Sequence, residues 1–551
     1  MEVIIMGNYT FTQKRVAPKV QSINQPIKGR ENQMVENLSG GYSFAASEKM
    51  LLERFLILGT TQNAYYANKE KLTKDLLSPL MLTIRERPQD VAQTIVEISD
   101  SNRAVSNSPS IFLLAHMFAS GKKPSREASK VFNRVVRTGS HLFEFVNYVR
   151  AIRGDGRILR ETVSDWLNEN NNLLYQVLKY QKRYDYSWLD LLRIYHPKPK
   201  EDYTELFKYI AGKTETLPEN DLFAQFHAIE RAKKTESAEE FVATIKNAKL
   251  TREMVVGLPM FNKTKKESLI ALSEDMPATA LLRNLATLTA GNALTDKIIN
   301  KIEDLLLNDD NLKKARINPL AVLKAWYTYR IGSGFKGNLS WTPNQRVLKA
   351  LTAGFEKAVS LSKDNNKKNF IGIDVSGSMY NGSVQGFEQA QPNQVAFAYA
   401  YILAKSCKDV KVLAFDYEQS GWYSEQGKVG RWDITKALKS CKDLSHVMTL
   451  SRKYGGGGTE VALPFKEMYE DKKKYDLAVV LTDNESWIGG HPTEMLQAYR
   501  NDVNKHVKVV YCTLTPYTTT LTDPTNPNSI DIVGFDANAP SIIEDFANGN
   551  I

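Results

Sequence analysis

From about residue 44 to residue 360, apolar positions recur with a helical period and are broken repeatedly into short runs. Leu142, Phe145, Val146 and Val149 fall at i, i+3, i+4 and i+7, one face of a helix that Gly154 stops. Ile111 to Phe118 predicts a second helix, closed by Gly121, and Pro277 opens a third with Leu281, Leu285 and Leu288 on one face. Period-two alternation is nearly missing. Successive short helices over such a length predict stacked antiparallel pairs, roughly seven or eight units of about 40 residues. After Lys368 the pattern changes. Apolar runs Phe370–Ile373, Val410–Phe415, Leu477–Leu481 and Val507–Cys512 alternate with helical stretches such as Gln394–Lys405 and Pro492–Tyr499, predicting a parallel sheet covered by helices on both faces. Residues 1–30, with Pro18, Pro26 and Gly29, read as an extended arm, and Ser360–Lys368 as a linker. The chain thus divides into an arm over 1–30, a helical part over 31–366 and an α/β part over 367–551.

Composition sharpens this division through charge. Residues 367–551 carry 19 Lys+Arg and 22 Asp+Glu, whereas residues 1–366 carry 53 and 40, so the net +10 belongs to the helical part. A polyanion partner is one reading and a solvated Lys-rich surface the other. The three cysteines, Cys407, Cys441 and Cys512, are widely spaced and indicate neither a disulfide framework nor a zinc site. No run reaches the apolar length of a membrane span, and Met1-Glu-Val-Ile-Ile-Met lacks the basic start of a signal peptide. The expectation is a cytoplasmic protein with no membrane role.

The candidate chemistry of the α/β part starts at Phe370-Ile-Gly-Ile-Asp-Val-Ser-Gly-Ser378. A buried strand here delivers Asp374, Ser376 and Ser378, all hard oxygen donors, to one point at its carboxyl end. Such a set suits Mg²⁺, which keeps several waters beside a few fixed oxygens. Gly455-Gly-Gly-Gly-Thr-Glu460 places Thr459 behind a flexible loop, and Asp476–Asp483 is a second buried-strand pattern ending in Asp483. The alternative is turn chemistry, with Asp and Ser capping a helix start. In this order the five residues resemble the metal-ion-dependent adhesion site of von Willebrand factor A-like domains. The resemblance implies direct bonding by Ser376, Ser378 and Thr459, with Asp374 and Asp483 bound directly or through water. An acidic protein ligand could replace one water; a purely structural ion is the other reading.

In the helical part, Lys179–Lys200 alternates basic and aromatic residues, the composition used to neutralise phosphates and stack bases. Lys179 and Arg183 are expected to share a helical face, Lys182 lies between them, and His196 follows. Leu191, Leu192 and Tyr195 read as core, and an ordinary charged helix pair is an equally good reading. Arg134, Arg137 and His141 form a second basic segment at a helix junction.

Segments along this part resemble the TROVE module of the Ro ribonucleoprotein family. They include Asn37-Leu-Ser-Gly-Gly-Tyr-Ser-Phe44, Leu52–Gly59, Asn63–Tyr66, Val136–Phe143, Lys179–Lys198, Met276–Leu285 and Ala315–Pro319. An A-like domain follows the module in that family too, so the resemblance spans nearly the whole chain and suits a bacterial or phage member. It implies an all-α superhelical ring of HEAT-like repeats closed by a Rossmann-type A-like domain. It also implies a monomeric, non-enzymatic scaffold for RNA quality control. Y or Y-like noncoding RNA would lie on the basic outer surface, and single-stranded 3′ ends of misfolded RNA would enter the central cavity, with an exoribonuclease as a further partner. Lys179, Arg183 and His196 match positions associated with the outer surface; Arg134, Arg137 and His141 match a neighbouring segment. One departure stands out: Asp185-Tyr-Ser-Trp188 replaces an expected Gly-Trp-Ser-His, exchanging a polar side chain for an indole. Competing functions are a protein-interaction module recruiting an acidic partner through the metal, and a metal nuclease, which would need more clustered carboxylates.

Overall fold

The computed structural model describes residues 23–58, 69–101, 103–104, 106–315, 317, 319–334, 337–361, 366–381, 384, 387, 390–417, 430–515, 517–533 and 539–550. The first 22 residues of the expected arm, Asn63–Tyr66, Arg316, Asn318 and linker residues 362–365 lie outside them. The strands are β1 (Met34–Glu36), β2 (Tyr42–Ala45), β3 (Lys182–Arg183), β4 (Tyr186–Ser187), β5 (Lys368–Asp374), β6 (Asp409–Phe415), β7 (Arg431–Asp433), β8 (Leu477–Thr482), β9 (Lys508–Thr513), β10 (Thr519–Thr520) and β11 (Ser529–Val533).

Between Glu48 and Ser360 the described residues are mainly helical, and the three helices read from periodicity form as Ser108–Ala119, Gly139–Ile152 and Ala278–Ala290. Helices pack chiefly on the next but one, Ser108–Ala119 on Gly139–Ile152 and Pro88–Asp100 on Lys122–Val135, and bury Leu142, Phe145, Val146 and Val149 together with Phe118 and Phe132. The A-like part forms one six-stranded sheet in the order β11-β9-β8-β5-β6-β7, parallel except where β7 runs antiparallel to β6. Successive residues of a strand face opposite sides of a sheet, so β5 sends Ile371 and Ile373 into one core and Phe370 into another. The first core is continuous with that of the helical part; the second lies under helices Leu463–Asp471 and Pro492–Asp502.

Both ends of the helical run dock on this α/β unit. At its end, Glu356 accepts a hydrogen bond from the Tyr401 hydroxyl at 2.8 Å, and Tyr327 donates to Gln394 at 2.7 Å. At its beginning, β2 pairs antiparallel with β1 on one side and with β10 on the other in a small sheet. Extended chain from Ile23 onward also lies on this unit, with Ile23 bridging Ile488. The residues just after position 30 are therefore strands on the A-like unit, not the start of the helical stack. Their runs are three and four residues long, too short to show a period.

Candidate functional site

The five oxygen donors arrive from adjacent elements of the parallel sheet. β5 ends at Asp374, its neighbour β8 ends just before Asp483, and the glycine loop brings Thr459 alongside. This is the carboxyl edge, where open α/β sheets bind ligands. The loop approaches β5 closely: Gly456 N–H donates to Val375 O at 2.8 Å and Gly377 N–H to Gly457 O at 2.9 Å. Gly455 has φ +91°, and a Cβ there would stand 1.8 Å from Val375 O, so only glycine fits.

All five side chains are buried. Asp374 accepts from Ser376 N–H at 2.9 Å and from the Thr482 hydroxyl at 2.7 Å, while the Ser376 and Ser378 hydroxyls lie 3.2 Å apart. Burial first, then the neighbouring Asp483, pushes the Asp374 carboxyl up to about 7. Burial raises Asp483 as well, against a bond from Ser378. Two carboxylic groups facing each other out of water are costly to ionise without a cation between them. Among the described residues no three His, Cys, Asp or Glu cluster in a metal-holding arrangement, so an ion here would need the hydroxyls. Two carboxylates with three hydroxyls fit a hard cation such as Mg²⁺.

Three residues of this neighbourhood escaped the sequence reading. Thr482 orients Asp374. Asp416, buried at the end of β6, accepts from Gly457 N–H at 3.2 Å and anchors the glycine loop. Its signal was available, since Val-Leu-Ala-Phe-Asp416 repeats the strand-then-carboxylate pattern of Asp374 and Asp483. Glu485, buried and pushed up to about 8 by burial and by Asp483, accepts from Ser39 N–H at 2.9 Å. Asn37 donates to Ser486 O at 2.7 Å from the same segment. The loop after β8 is thus shared between the buried oxygen donors and the amino-terminal segment.

The basic candidates divide into two groups. Helix Leu173–Lys179 ends at Lys179, and β3 and β4 form a hairpin whose turn residues Tyr184 and Asp185 have φ of +50° and +64°. Arg183 therefore sits on a strand, not on the helical face of Lys179, because the chain reverses before another helical turn can form. Lys179 is half-buried, its ammonium 5.4 Å above the Tyr175 ring and 5.5 Å from that of Tyr180. Lys182, Arg183 and His196 are exposed, and His196 closes helix Trp188–Tyr195 in a left-handed conformation at φ +48°.

Arg134, Arg137 and His141 each have partners within the fold, and Arg134 and Arg137 keep part of their side chains open to solvent. Arg134 pairs with Asp100, and Arg137 donates to Ser99 O at 3.1 Å and Ser99 Oγ at 2.9 Å. Burial, then Arg137, pushes the His141 imidazole down to about 4, so it is neutral near pH 7. Trp188 is buried against Phe143 and Trp166, with its Nε1–H donating to Tyr180 O at 2.6 Å. The indole that departs from the expected motif is core at the base of the hairpin, not an altered surface contact.

Residues 35–266 match the TROVE domain family, and residues 368–547 match the Ro60 vWA domain family. The chain belongs to the Ro family of TROVE-domain proteins. This Ro-family chain is 29% identical to a Caenorhabditis elegans protein named RNA-binding protein RO60, covering 94% of this chain and 90% of that one. It is 27% identical to the Deinococcus radiodurans protein of the same name, over 98% of this chain and all of the relative. The crystal structure of the Deinococcus radiodurans RO (RSR) protein superposes with a TM-score of 0.68 at 25% identity, covering 92% of this chain and 100% of that one. Helical module and A-like domain thus follow the architecture of the solved relative.

Proposed function

We propose that this Ro-family chain is a non-enzymatic RNA-binding scaffold of a small ribonucleoprotein. The observation that carries this reading is the hairpin of β3 and β4 with its flank, which presents Lys182, Arg183 and His196 to solvent in a part of the chain carrying the whole basic excess. Exposed cations beside aromatics bind phosphates with little reading of sequence. Relatives named RNA-binding proteins support it. On this reading a structured Y-like RNA lies against the hairpin through shape and phosphates, and loose 3′ ends of misfolded RNA enter the space enclosed by the helical run. The protein works in the cytoplasm as a monomer that can hand RNA to an exoribonuclease.

The Asp374, Ser376, Ser378, Thr459 and Asp483 set would hold Mg²⁺ or a similar divalent cation, supplying positive charge at the sheet edge. In the second reading this edge recruits an acidic protein partner whose carboxylate would complete the oxygen shell of the bound cation.

The test is a filter-binding titration of a structured small RNA at several salt concentrations. Lys182→Glu with Arg183→Glu is expected to weaken binding and to make the fall of log K with log salt shallower by about two contacts' worth. Unchanged affinity and slope would remove the hairpin from the RNA site. Retention of an acidic partner that Asp374→Ala abolishes would favour the second reading.

A further inference from the structure

A cavity of about 230 Å³ opens beside Lys179, where helix Leu173–Lys179 meets the chain around 245–253 and helices Lys265–Glu274 and Ala278–Ala290. Ile245, Leu250, Leu272 and Ala280 give it an apolar floor, and Tyr175 lines one side. Lys179, Lys246, Lys249 and Arg252 stand around it against Glu253 and Asp275, leaving positive charge in excess. Lys246 is held by Glu274 at 2.9 Å. Lys249 and Arg252 are exposed and have no ion-pair partner among the described residues. Lys249 also has φ +49°, at the end of helix Ala238–Asn247, where glycine would sit without a Cβ penalty. A cation kept at a left-handed position on the rim of an apolar cavity points to a ligand with one flat apolar part and one anionic part.

We infer that this cavity takes one unstacked nucleotide of a bound RNA. Its base lies on the apolar floor beside Tyr175, and its phosphate lies on Lys249 and Arg252. The inference rests on the RNA-binding reading above and extends that site past Lys179, which borders both. An acidic peptide would use the cations and leave the apolar floor unfilled, so the floor distinguishes the two.

The experiment titrates the full chain with a fluorescein-labelled RNA hairpin carrying a single-stranded 3′ tail, and with the same RNA carrying 2-aminopurine in the tail. Lys249→Gly and Arg252→Ala are each expected to weaken binding about tenfold. Lys249→Gly should do so while keeping or raising the thermal midpoint, because glycine relaxes the left-handed turn. Ala280→Leu, which fills the cavity without changing charge, should weaken binding similarly and remove the 2-aminopurine signal change seen with the wild type. Wild-type affinity in all three variants, with Arg183→Glu still weakening binding, would overturn the pocket and leave the hairpin site standing. Loss with the two cation variants but not with Ala280→Leu would overturn the nucleotide in favour of surface charge alone. Failure of the wild type to bind either RNA would overturn the RNA-binding reading itself and this inference with it.

Discussion

The guanidinium of Arg54 meets the carboxylate of Asp531 at 2.7 Å, with side chains only 1% and 2% exposed. The pair joins the first helix of the helical run, Glu48–Leu58, to the edge strand β11 of the A-like sheet. Arg54 also donates to the carbonyls of Tyr517 and Thr519, so one side chain holds three points of the opposite unit. Removing one member of a buried pair strands the other and costs about 3–5 kcal/mol. Arg54→Met is expected to lower the first thermal transition markedly and to speed amide exchange over residues 34–58. A wild-type transition with unchanged exchange would show that the pair does not hold this seam.

His491 gives stability a pH dependence. Its ring is buried against Phe44, with Arg30 as the nearby cation and Asp523 acting weakly in the opposite sense. Burial, then Arg30, pushes the imidazole down to about 4. The native state therefore resists a proton that the unfolded chain takes up below about 6.5. The contribution is complete above that value and is lost as pH falls toward 4, amounting to about 3 kcal/mol. His141 acts in the same direction. The raised carboxyls of Asp374 and Glu485 gain stability over the same range and oppose this, so the His491 contribution is read as a difference between variants. From pH 7.5 to pH 5 the urea midpoint of His491→Gln should fall less, or rise more, than that of the wild type, with the His141 share unchanged.

How far the sequence carried can be read from particular elements. Phe370–Ile373 and Leu477–Leu481 were legible because strands buried on both faces are unbroken apolar runs, and the five oxygen donors followed from their ends. β11 was not, because Ser529 and Asp531 interrupt its apolar residues, and Asp531 earns its burial from Arg54, Thr513 and Thr520, partners distant in sequence or on other strands. The hairpin at Lys182–Ser187 hid for a different reason: Tyr184 and Asp185 take left-handed conformations without the glycine or asparagine that normally announces such a turn. Arg134 and Arg137 looked like free cations because Asp100 and Ser99, which occupy them, lie more than thirty residues earlier.

That occupancy separates the two arginines. Arg134 is exposed, and its pair with Asp100 is of the kind that contributes under about 1 kcal/mol. Arg137 satisfies carbonyls at the end of helix Pro88–Asp100 and of its own preceding turn. Arg137→Ala should therefore lower the denaturation midpoint more than Arg134→Ala. Both should reduce RNA affinity less than Arg183→Glu in the same filter assay.

Trp188 supports the hairpin from beneath. A Cβ at Gly139 would come within 2.8 Å of its ring, so helix Gly139–Ile152 and the indole are fitted to each other. Trp188→Ala opens a cavity costing about 3–5 kcal/mol and releases the Tyr180 carbonyl. Fluorescence and near-ultraviolet circular dichroism should report the loosened packing, and RNA affinity should fall although no cation has been removed. A variant with wild-type packing signals and affinity would show that the hairpin is held independently of the indole.

The buried oxygen donors and the amino-terminal segment share the loop after β8, so a cation bound by those donors would be linked to the seam. Asp483 faces the oxygen cluster, Glu485 accepts from Ser39, and Ser486 O accepts from Asn37 and Asn24. A cation that binds only the folded form stabilises it by RT ln(1 + [L]/Kd), about 2.7 kcal/mol at one hundred times Kd. Saturating Mg²⁺ should raise the wild-type thermal midpoint, and a chelator should reverse the rise. Asp374→Asn and Thr459→Ala should each abolish the shift; Asp374→Asn also removes a like charge and should be more stable than the chelated wild type. Because the loop is common to both sides, Mg²⁺ should also slow amide exchange over residues 37–41, which contribute no ligand. A thermal shift confined to the sheet, with exchange at Ser39 unaltered, would show that the ion and the seam are independent.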